Sequence, residues 1–279
     1  MSIYDELLKL QKIPDAFKDW REYRESLTDY IITTLKPGST IAIFGAGGCN
    51  DLNLKRLQQH FSQITLYDRE KTALYEALDT YEIADKENII LKETDFLGIT
   101  PGEYREYADD VLRMIQVDGK HTDMDEVAEY AILRMKELYQ KAKMRPLSFG
   151  SKCYDAAIAV GVHSQINNMF AWLWQVYLEA VGKWENTVFD YVKKMNDEVI
   201  PRFDDAVFAC AKEHVIFGLE KERIGMEGGI QGAHQAFLDV KGMQEMGKCL
   251  IRESMPLIWP FDITRNICYQ MSILKMDLF

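Results

Sequence analysis

The chain has 279 residues, a formal net charge of −11, 47% hydrophobic residues and 28% charged residues. This is the composition of an ordinary globular protein with a sizeable core, and it excludes disordered and disulfide-stapled classes. No stretch approaches the roughly 18 continuous apolar residues of a membrane helix. No segment concentrates the lysine and arginine that nucleic-acid binding requires. We therefore expect neither a membrane nor a nucleic-acid partner.

The compartment is predicted from the start of the chain and from its cysteines. Residues 1–15 carry early acidic residues and no long apolar core, unlike a secretory signal. The 5 cysteines form no CxxC pair of the kind that zinc sites and redox motifs use. Reduced, buried thiols in the cytoplasm are the expectation.

The first elements in chain order are helices followed by a strand. Residues 4–35 have helical spacing of apolar side chains, with a break at Pro14. The short apolar run 40–44 comes next, followed by Gly45-Ala46-Gly47-Gly48 and a second helical pattern. An apolar run that ends in glycines before a helix predicts a strand–turn–helix unit.

The alternation of strands and helices continues to the end of the chain. Further strands are predicted at 64–67, 88–91, 154–160, 214–219, 249–252 and 267–274. Further helices are predicted at 70–80, 167–182, 184–212 (divided by Pro201) and 230–246. The last two strands leave room only for a return containing Pro256 and Pro260. The pattern predicts an α/β fold: a Rossmann-like, mostly parallel seven-stranded sheet with an antiparallel final strand and helices on both faces.

One connection is longer than a crossover needs. Residues 97–152 contain a helical repeat of apolar residues around 124–139, which predicts a structured helical insertion. It begins at the carboxyl edge of the sheet, where ligands bind in such folds. A lid or substrate cap and a plain extension of the core are equally open. The predicted organisation is an N-terminal helical cap at 1–37 and a Rossmann-like domain at 38–279 that carries this insertion.

Candidate ligand-binding residues stand at the ends of the first three strands. The glycines after residue 44 fit a dinucleotide loop whose third glycine is replaced by Asn50, or a loop that holds an amino acid and a nucleoside. Asp68 ends the second strand, where a carboxylate accepts hydrogen bonds from ribose hydroxyls. Asp95, beside Phe96, ends the third strand. Asp95 either contacts a base or caps the following turn.

These features together resemble the class I S-adenosylmethionine-dependent methyltransferases over residues 40–100, 150–220 and the closing strand pair. The resemblance rests on the glycine loop, the acid at 68, Asp95-Phe96, Tyr154-Asp155 and the terminal antiparallel strand. It implies S-adenosylmethionine as the cofactor. It implies that the methionine part lies near Gly45, Ala46 and Gly47, the ribose on Asp68, the adenine beside Asp95 and Phe96, and the methyl-transfer face near Gly161 and His163.

The sequence departs from the family pattern in three places. Ile43 stands where the family often has an acid, and Asp51 is a candidate to replace it in holding the amino group. Cys49 stands at the third glycine position of the family motif. No Asp/Asn-Pro-Pro-Tyr follows the fourth strand, which argues against methylation of DNA adenine or glutamine amides.

His163 and the aromatic residues each have two interpretations. His163 is a candidate general base, or else a hydrogen-bonded histidine at the rim of the site. Trp20 and Tyr23 either cover a substrate pocket or pack between helices. The remaining histidines show no ligand spacing, so we expect no catalytic metal.

Three hypotheses of different classes follow. The first is a methyltransferase that acts on an O or N atom of a small molecule. The second is a nicotinamide-dependent oxidoreductase, which the missing third glycine and the antiparallel strand disfavour. The third is a non-catalytic cofactor-binding or partner protein, kept open by Ile43. A monomer and a homodimer are both compatible with the sequence.

Overall fold

The computed structural model of the chain describes residues 2–10, 12–84, 86–225 and 230–279. The helices are α1 (Ile3–Leu10), α2 (Ala16–Asp19), α3 (Arg21–Thr34), α4 (Leu54–His60), α5 (Lys71–Thr80), α6 (Pro101–Asp118), α7 (Met124–Met144), α8 (Asn168–Val181), α9 (Thr187–Cys210) and α10 (Gln231–Glu245). The strands are β1 (Thr40–Phe44), β2 (Gln63–Asp68), β3 (Ile89–Glu93), β4 (Tyr154–Val160), β5 (Ala211–Arg223), β6 (Cys249–Asp262) and β7 (Ile267–Leu278). No helix in the described ranges is long and apolar enough to cross a membrane.

The strands form one seven-stranded sheet with the order β3-β2-β1-β4-β5-β7-β6. Strands β1 to β5 pair in parallel, whereas β7 is antiparallel to both β5 and β6. The predicted α/β class, the seven strands and the antiparallel final strand are therefore confirmed. The reversal of strand order between β1 and β4 places the carboxyl ends of both strands at a switch point, where ligands bind in open α/β sheets.

The prolines of the last strand pair were expected in the connection between the two strands, and this expectation is wrong. Pro256 and Pro260 lie inside β6, which extends to Asp262 and pairs with β7. Proline has no backbone N–H. In a central strand the N–H groups donate alternately to the two neighbouring strands, whereas in an edge strand those on one side have no neighbouring strand to pair with. Because β6 is at the edge of the sheet, both prolines are accommodated.

The expected division at Pro201 is also absent, because α9 runs without interruption through this residue. Proline removes one helical hydrogen bond and strains the preceding turn. Ile200 and Phe203 beside it are fully buried, so packing on both sides of the proline offsets the lost bond.

The chain divides into two compact units, the first of which contains the sheet. This sheet unit comprises Ile13–Thr94, Ser148–Ser164 and Ile200–Phe279. One face of its sheet packs Ile41 and Ile43 into a core with α3, α4 and α5. On the other face the ring of Phe44 lies 5.9 Å from the ring of Phe203 in α9. The sheet is thus covered by helices on both faces, as expected for buried parallel strands.

The second, helical unit comprises Met1–Lys12, Asp95–Leu147 and Gln165–Val199. The Tyr4 ring of α1 stacks on Tyr104 of α6 at 5.3 Å between centroids. The hydroxyl of Tyr177 in α8 donates to the Ala108 carbonyl at 2.8 Å. The helical insertion predicted at 97–152 is present as α6 and α7. Its role as a lid, and the predicted boundaries at 37 and 152, stay predictions.

Candidate functional site

The loop after β1 turns sharply because glycine occupies its first position. Gly45 has φ of +71°, and a Cβ at this residue would stand 2.3 Å from Cγ2 of Val162. The backbone N–H groups of Gly45 and Ala46 both donate to the carbonyl of Tyr67, at 2.8 and 3.1 Å. These bonds hold the loop against the end of β2. Any side chain at Gly45 would push the loop away from the turn that follows β4.

Asp68 joins the glycine loop to the end of β2. Its Oδ2 accepts the Gly47 backbone N–H at 2.8 Å, and its Oδ1 accepts the Glu70 N–H at 2.8 Å. Burial raises the pKa of this carboxyl, although both backbone bonds work in the opposite direction. A Cβ at Gly47 would lie 4.0 Å from Asp68 Oδ2. A side chain at Gly47 would therefore begin to fill the space between the loop and the carboxylate.

Asp51 supplies a second acid to the same loop. Burial raises the pKa of Asp51 to about 7, while the positive charge of Arg24 lowers it and the negative charge of Asp68 raises it further. The charge of Asp68 therefore acts on the carboxyl group of Asp51 across the glycine loop. Gly45, Ala46, Gly47 and Asp68 are joined by hydrogen bonds at the carboxyl ends of β1 and β2, and a role for Asp51 at this site stays a prediction.

Gly161 begins the turn after β4. It has φ of +64° and donates its N–H to the Gly218 carbonyl at 2.9 Å. A Cβ at this residue would approach the ring of Trp259 to 2.9 Å. The absence of a side chain lets an aromatic ring from β6 lie directly over the end of β4.

His163 follows in the same turn, and its side chain is fully buried. Its Nε2 lies 2.9 Å from Oδ1 of Asp204, and its ring contacts Phe203 and Phe217 with centroids 5.5 and 4.6 Å away. Burial lowers the pKa of His163 to about 4, so the ring is neutral at pH 7. This environment matches the hydrogen-bonded interpretation, and the role of general base stays a prediction.

Comparisons with known proteins bear on this arrangement. No protein-family model matches the sequence, and no curated protein matches it. Among solved structures, magnesium protoporphyrin IX methyltransferase (ChlM) from Synechocystis PCC 6803 with bound SAH is 12% identical; the alignment covers 94% of this chain and 86% of that chain with a TM-score of 0.50. The N-methyltransferase NodS from Bradyrhizobium japonicum WM9 with bound SAH is also 12% identical, with 97% and 90% covered and a TM-score of 0.44.

The strand order together with the first of these matches decides the fold. The chain has the fold of the class I S-adenosylmethionine-dependent methyltransferases. The resemblance drawn from the sequence is thereby confirmed at the level of the fold. At 12% identity the likeness carries no statement about the substrate.

Cys49, which the resemblance matches to the third glycine position of the family motif, adopts φ of +51°. A cysteine is strained in this left-handed conformation. The Cys49 side chain is fully buried, and its carbonyl accepts the Tyr81 hydroxyl at 2.9 Å. The same hydroxyl lies 2.6 Å from the Leu52 carbonyl. These contacts hold the loop in a geometry for which the family more often uses glycine.

Arg24 is a supporting residue that was not singled out from the sequence. Its Nη1 donates to the carbonyls of Asn50 at 3.0 Å and Phe17 at 2.6 Å, and the side chain is buried. Arg24 occupies one position of an otherwise mostly apolar helical stripe. A charged residue on a core-facing stripe is rarely buried without a partner. The presence of an arginine in this stripe was therefore the sequence feature that could have indicated its supporting role.

Asp95 and Phe96 belong to the helical unit and follow β3 directly in the chain. Oδ1 of Asp95 accepts the backbone N–H groups of Leu97, Gly98 and Ile99 at 2.9, 2.7 and 3.1 Å. This is the turn-capping role that the sequence left open. Contact of Asp95 or Phe96 with an adenine stays a prediction.

Within the ranges that the structure describes, no group of three or more His, Cys, Asp and Glu side chains is arranged to hold a metal ion.

Proposed function

We propose that this protein is an S-adenosylmethionine-dependent methyltransferase that acts on an O or N atom of a small molecule. The observation that carries the proposal is the Gly47–Asp68 hydrogen bond at the carboxyl ends of β1 and β2 in this fold. It places a half-buried carboxylate beside a backbone turn, which suits a nucleoside with vicinal hydroxyls. We also propose a cytoplasmic location, and either a monomer or a homodimer.

The residues of the loop fit this cofactor. The glycine positions leave room for close approach of a ligand to the backbone, and Asp68 is available to the ribose hydroxyls. Asp51 is available to the amino group of the methionine part, in place of the missing acid at Ile43. When bound, S-adenosylmethionine supplies an activated methyl group, so the protein has to align the acceptor and exclude water.

The deciding experiment measures thermal unfolding with S-adenosylmethionine, S-adenosylhomocysteine, NAD and NADP in parallel. A ligand at 100 times its dissociation constant adds about 2.7 kcal/mol, which for a chain of this size raises the midpoint by several degrees. We expect a shift with the two sulfur-containing ligands and none with NAD or NADP. A shift with NAD or NADP alone would indicate the oxidoreductase, and no shift with any ligand would indicate a partner protein that binds none of these cofactors.

Matched variants assign the shift to the site. Asp68→Ala removes both backbone contacts of the carboxylate and is expected to abolish the shift. Asp79→Ala, an exposed acid at the end of α5, is expected to retain it. Equal shifts in the two variants would place the cofactor elsewhere.

A further inference from the structure

A cluster of packed aromatic rings, which we call the aromatic enclosure, lies within the sheet unit beside the end of β4. It is formed by Trp20, Tyr23, Trp259, Phe261 and Tyr269. The ring of Trp259 is central, with centroids 5.0 Å from Trp20, 5.7 Å from Tyr23 and 6.1 Å from Tyr269. The same ring covers Gly161, so the enclosure adjoins the turn where the resemblance places methyl transfer.

Three buried polar atoms of this region have no hydrogen-bond partner in the described part of the chain. They are the Tyr23 hydroxyl, Nε1 of Trp259 and Oε2 of Glu220. Their residues are 4%, 6% and 3% exposed. A buried polar atom without a partner is energetically unfavourable, so these three atoms indicate a site for a polar ligand.

Glu220 supplies a buried carboxyl group, whose pKa is raised by burial and lowered by the hydrogen bond from Ser164. A cationic partner would favour its charged form. Oε1 of Glu220 accepts the Ser164 hydroxyl at 2.6 Å, which fixes the carboxylate and leaves Oε2 without a bond. The negative charge of Glu220 acts on the hydroxyls of Tyr23 and Tyr269, raising the pKa of both after the larger effect of burial. The carboxylate is therefore electrostatically coupled to two members of the aromatic enclosure.

The enclosure is also connected to the glycine loop. Tyr23 experiences the charge of Asp51 as well as that of Glu220, and both raise its pKa. The Tyr23 hydroxyl thus lies within electrostatic range of an acid of the proposed cofactor site and of the carboxylate of the enclosure. A molecule held by Glu220 would be adjacent to the methyl-transfer face.

We propose that Glu220 and the aromatic enclosure bind the methyl acceptor, and that this acceptor is a small molecule with an amino group. A buried carboxylate requires a positive partner or N–H donors, and an amine supplies either. Aromatic ring faces attract cations, whereas two nearby acids repel an anionic ligand. A neutral alcohol would satisfy the hydrogen bonds and leave the charge of Glu220 uncompensated. Of the two acceptor atoms left open by the proposed function, these observations favour nitrogen.

The inference rests on the proposed function, and its test separates the two. Binding of phenethylamine, 2-phenylethanol and phenylacetate to the whole protein is measured by calorimetry, with S-adenosylhomocysteine present. Tetramethylammonium chloride is a smaller cationic probe, with tert-butanol as its neutral counterpart. We expect each cation to bind at least tenfold more tightly than its neutral counterpart and phenylacetate not to bind. Because two tryptophans line the enclosure, quenching of tryptophan fluorescence by the cations gives a second readout.

The variants are Glu220→Gln and Glu222→Gln, two residues apart on β5. Glu220→Gln keeps the shape of the side chain and removes its charge, so we expect it to abolish the tenfold preference. Glu222 is exposed, and its variant is expected to retain the preference. The S-adenosylhomocysteine-induced shift in the unfolding midpoint is measured for both variants to establish that they are folded.

Each outcome has one meaning. Equal binding of cations and neutral counterparts, or a preference that survives Glu220→Gln, overturns the amine site. Failure of every probe to bind while S-adenosylhomocysteine still stabilises the protein also overturns the amine site and leaves the methyltransferase function standing. If S-adenosylhomocysteine does not stabilise the wild-type protein, the result counts against the proposed function itself.

Discussion

Nε2 of His163 lies 2.9 Å from Oδ1 of Asp204, and neither side chain is exposed to solvent. The two residues come from the turn after β4 and from α9. Nδ1 of the same ring has no partner within the described residues. One hydrogen bond joins the ring and the carboxyl group, and its donor depends on the tautomer of the neutral histidine and on the protonation of Asp204, whose pKa is raised by burial.

The burial of His163 predicts a specific dependence of stability on pH. The pKa of His163 is about 4 in the folded protein, against 6.5 as its ordinary value. Between these two pH values the unfolded chain binds a proton that the folded chain does not, so acidification favours unfolding. Relative to His163→Gln, the wild type should lose about 3 kcal/mol of stability between pH 6.5 and pH 4. Urea unfolding of both proteins across this range measures the difference.

The subtraction in that experiment removes titrating groups that do not act on His163. Burial raises the pKa of Asp51 to about 7, which gives the opposite slope because its folded form holds a proton more tightly. Asp51 is present in the wild type and in His163→Gln. If the free energy of unfolding changes equally with pH in the two proteins, the pKa of His163 is not lowered by folding.

The glycine loop predicts a steric difference between two glycines with similar backbone conformations. Gly45 and Gly38 have φ of +71° and +78°, but a Cβ at Gly38 would meet no atom within 4 Å. Gly38→Ala should cost about 1–2 kcal/mol from the left-handed conformation alone. Gly45→Ala should cost a further ~1–3 kcal/mol because its Cβ collides with Val162. Denaturant unfolding measures both values.

A second substitution tests the cause of the Gly45→Ala effect. Adding Val162→Ala removes the methyl group 2.3 Å from the new Cβ and should recover part of the lost stability. If Gly38→Ala and Gly45→Ala cost the same, the contact with Val162 is not what requires glycine.

Arg24 is expected to stabilise the glycine loop through its hydrogen bond to the Asn50 carbonyl. Arg24→Gln leaves the carbonyls of Asn50 and Phe17 without their donor and should cost about 1.5–3 kcal/mol. Arg56, which pairs with Glu25 and Asp29 near the surface, is the control. Arg56→Gln should cost under about 1 kcal/mol. Chemical denaturation of the two variants provides the comparison, and equal losses would contradict a special role for Arg24.

Substitution of Asp95 distinguishes a structural role in capping the turn from a role in ligand binding alone. Because Oδ1 accepts three backbone N–H groups, Asp95→Ala should destabilise the protein by about 1–2 kcal/mol even without cofactor. Asp95→Asn retains an acceptor oxygen and should lose less. An unchanged unfolding midpoint for ligand-free Asp95→Ala would assign the carboxylate to ligand binding alone.

Local sequence patterns predicted most of the strands and helices, because the burial of a strand and the turn that follows it each require particular residue types at that point of the chain. The apolar run 40–44 and the residues 154–160 are strands with the predicted bounds. Buried parallel strands must be apolar along their length, and a glycine turn must follow where the chain doubles back. Asp68 was predicted at the end of a strand for the same reason, and it is the last residue of β2; its contact with a cofactor stays a prediction.

The predictions of secondary structure were wrong where the conformation of a residue depends on spatial neighbours that are distant in the chain. Pro256 and Pro260 are acceptable in β6 because this strand lies at the edge of the sheet, and strand order is not written in the local pattern. Pro201 remains helical because residues beside it are buried. In both cases tertiary packing overrides a reliable local rule.

The sequence by itself determined the alternation of strands and helices, the glycine loop and the acid at the end of β2. Only the tertiary structure decided which side chains meet: Arg24 with Asn50, His163 with Asp204, and Ser164 with Glu220. The last two pairs are separated by 41 and 56 residues in the chain. Hydrophobic periodicity specifies which face of an element is buried, but the partner on that face depends on strand order and helix packing.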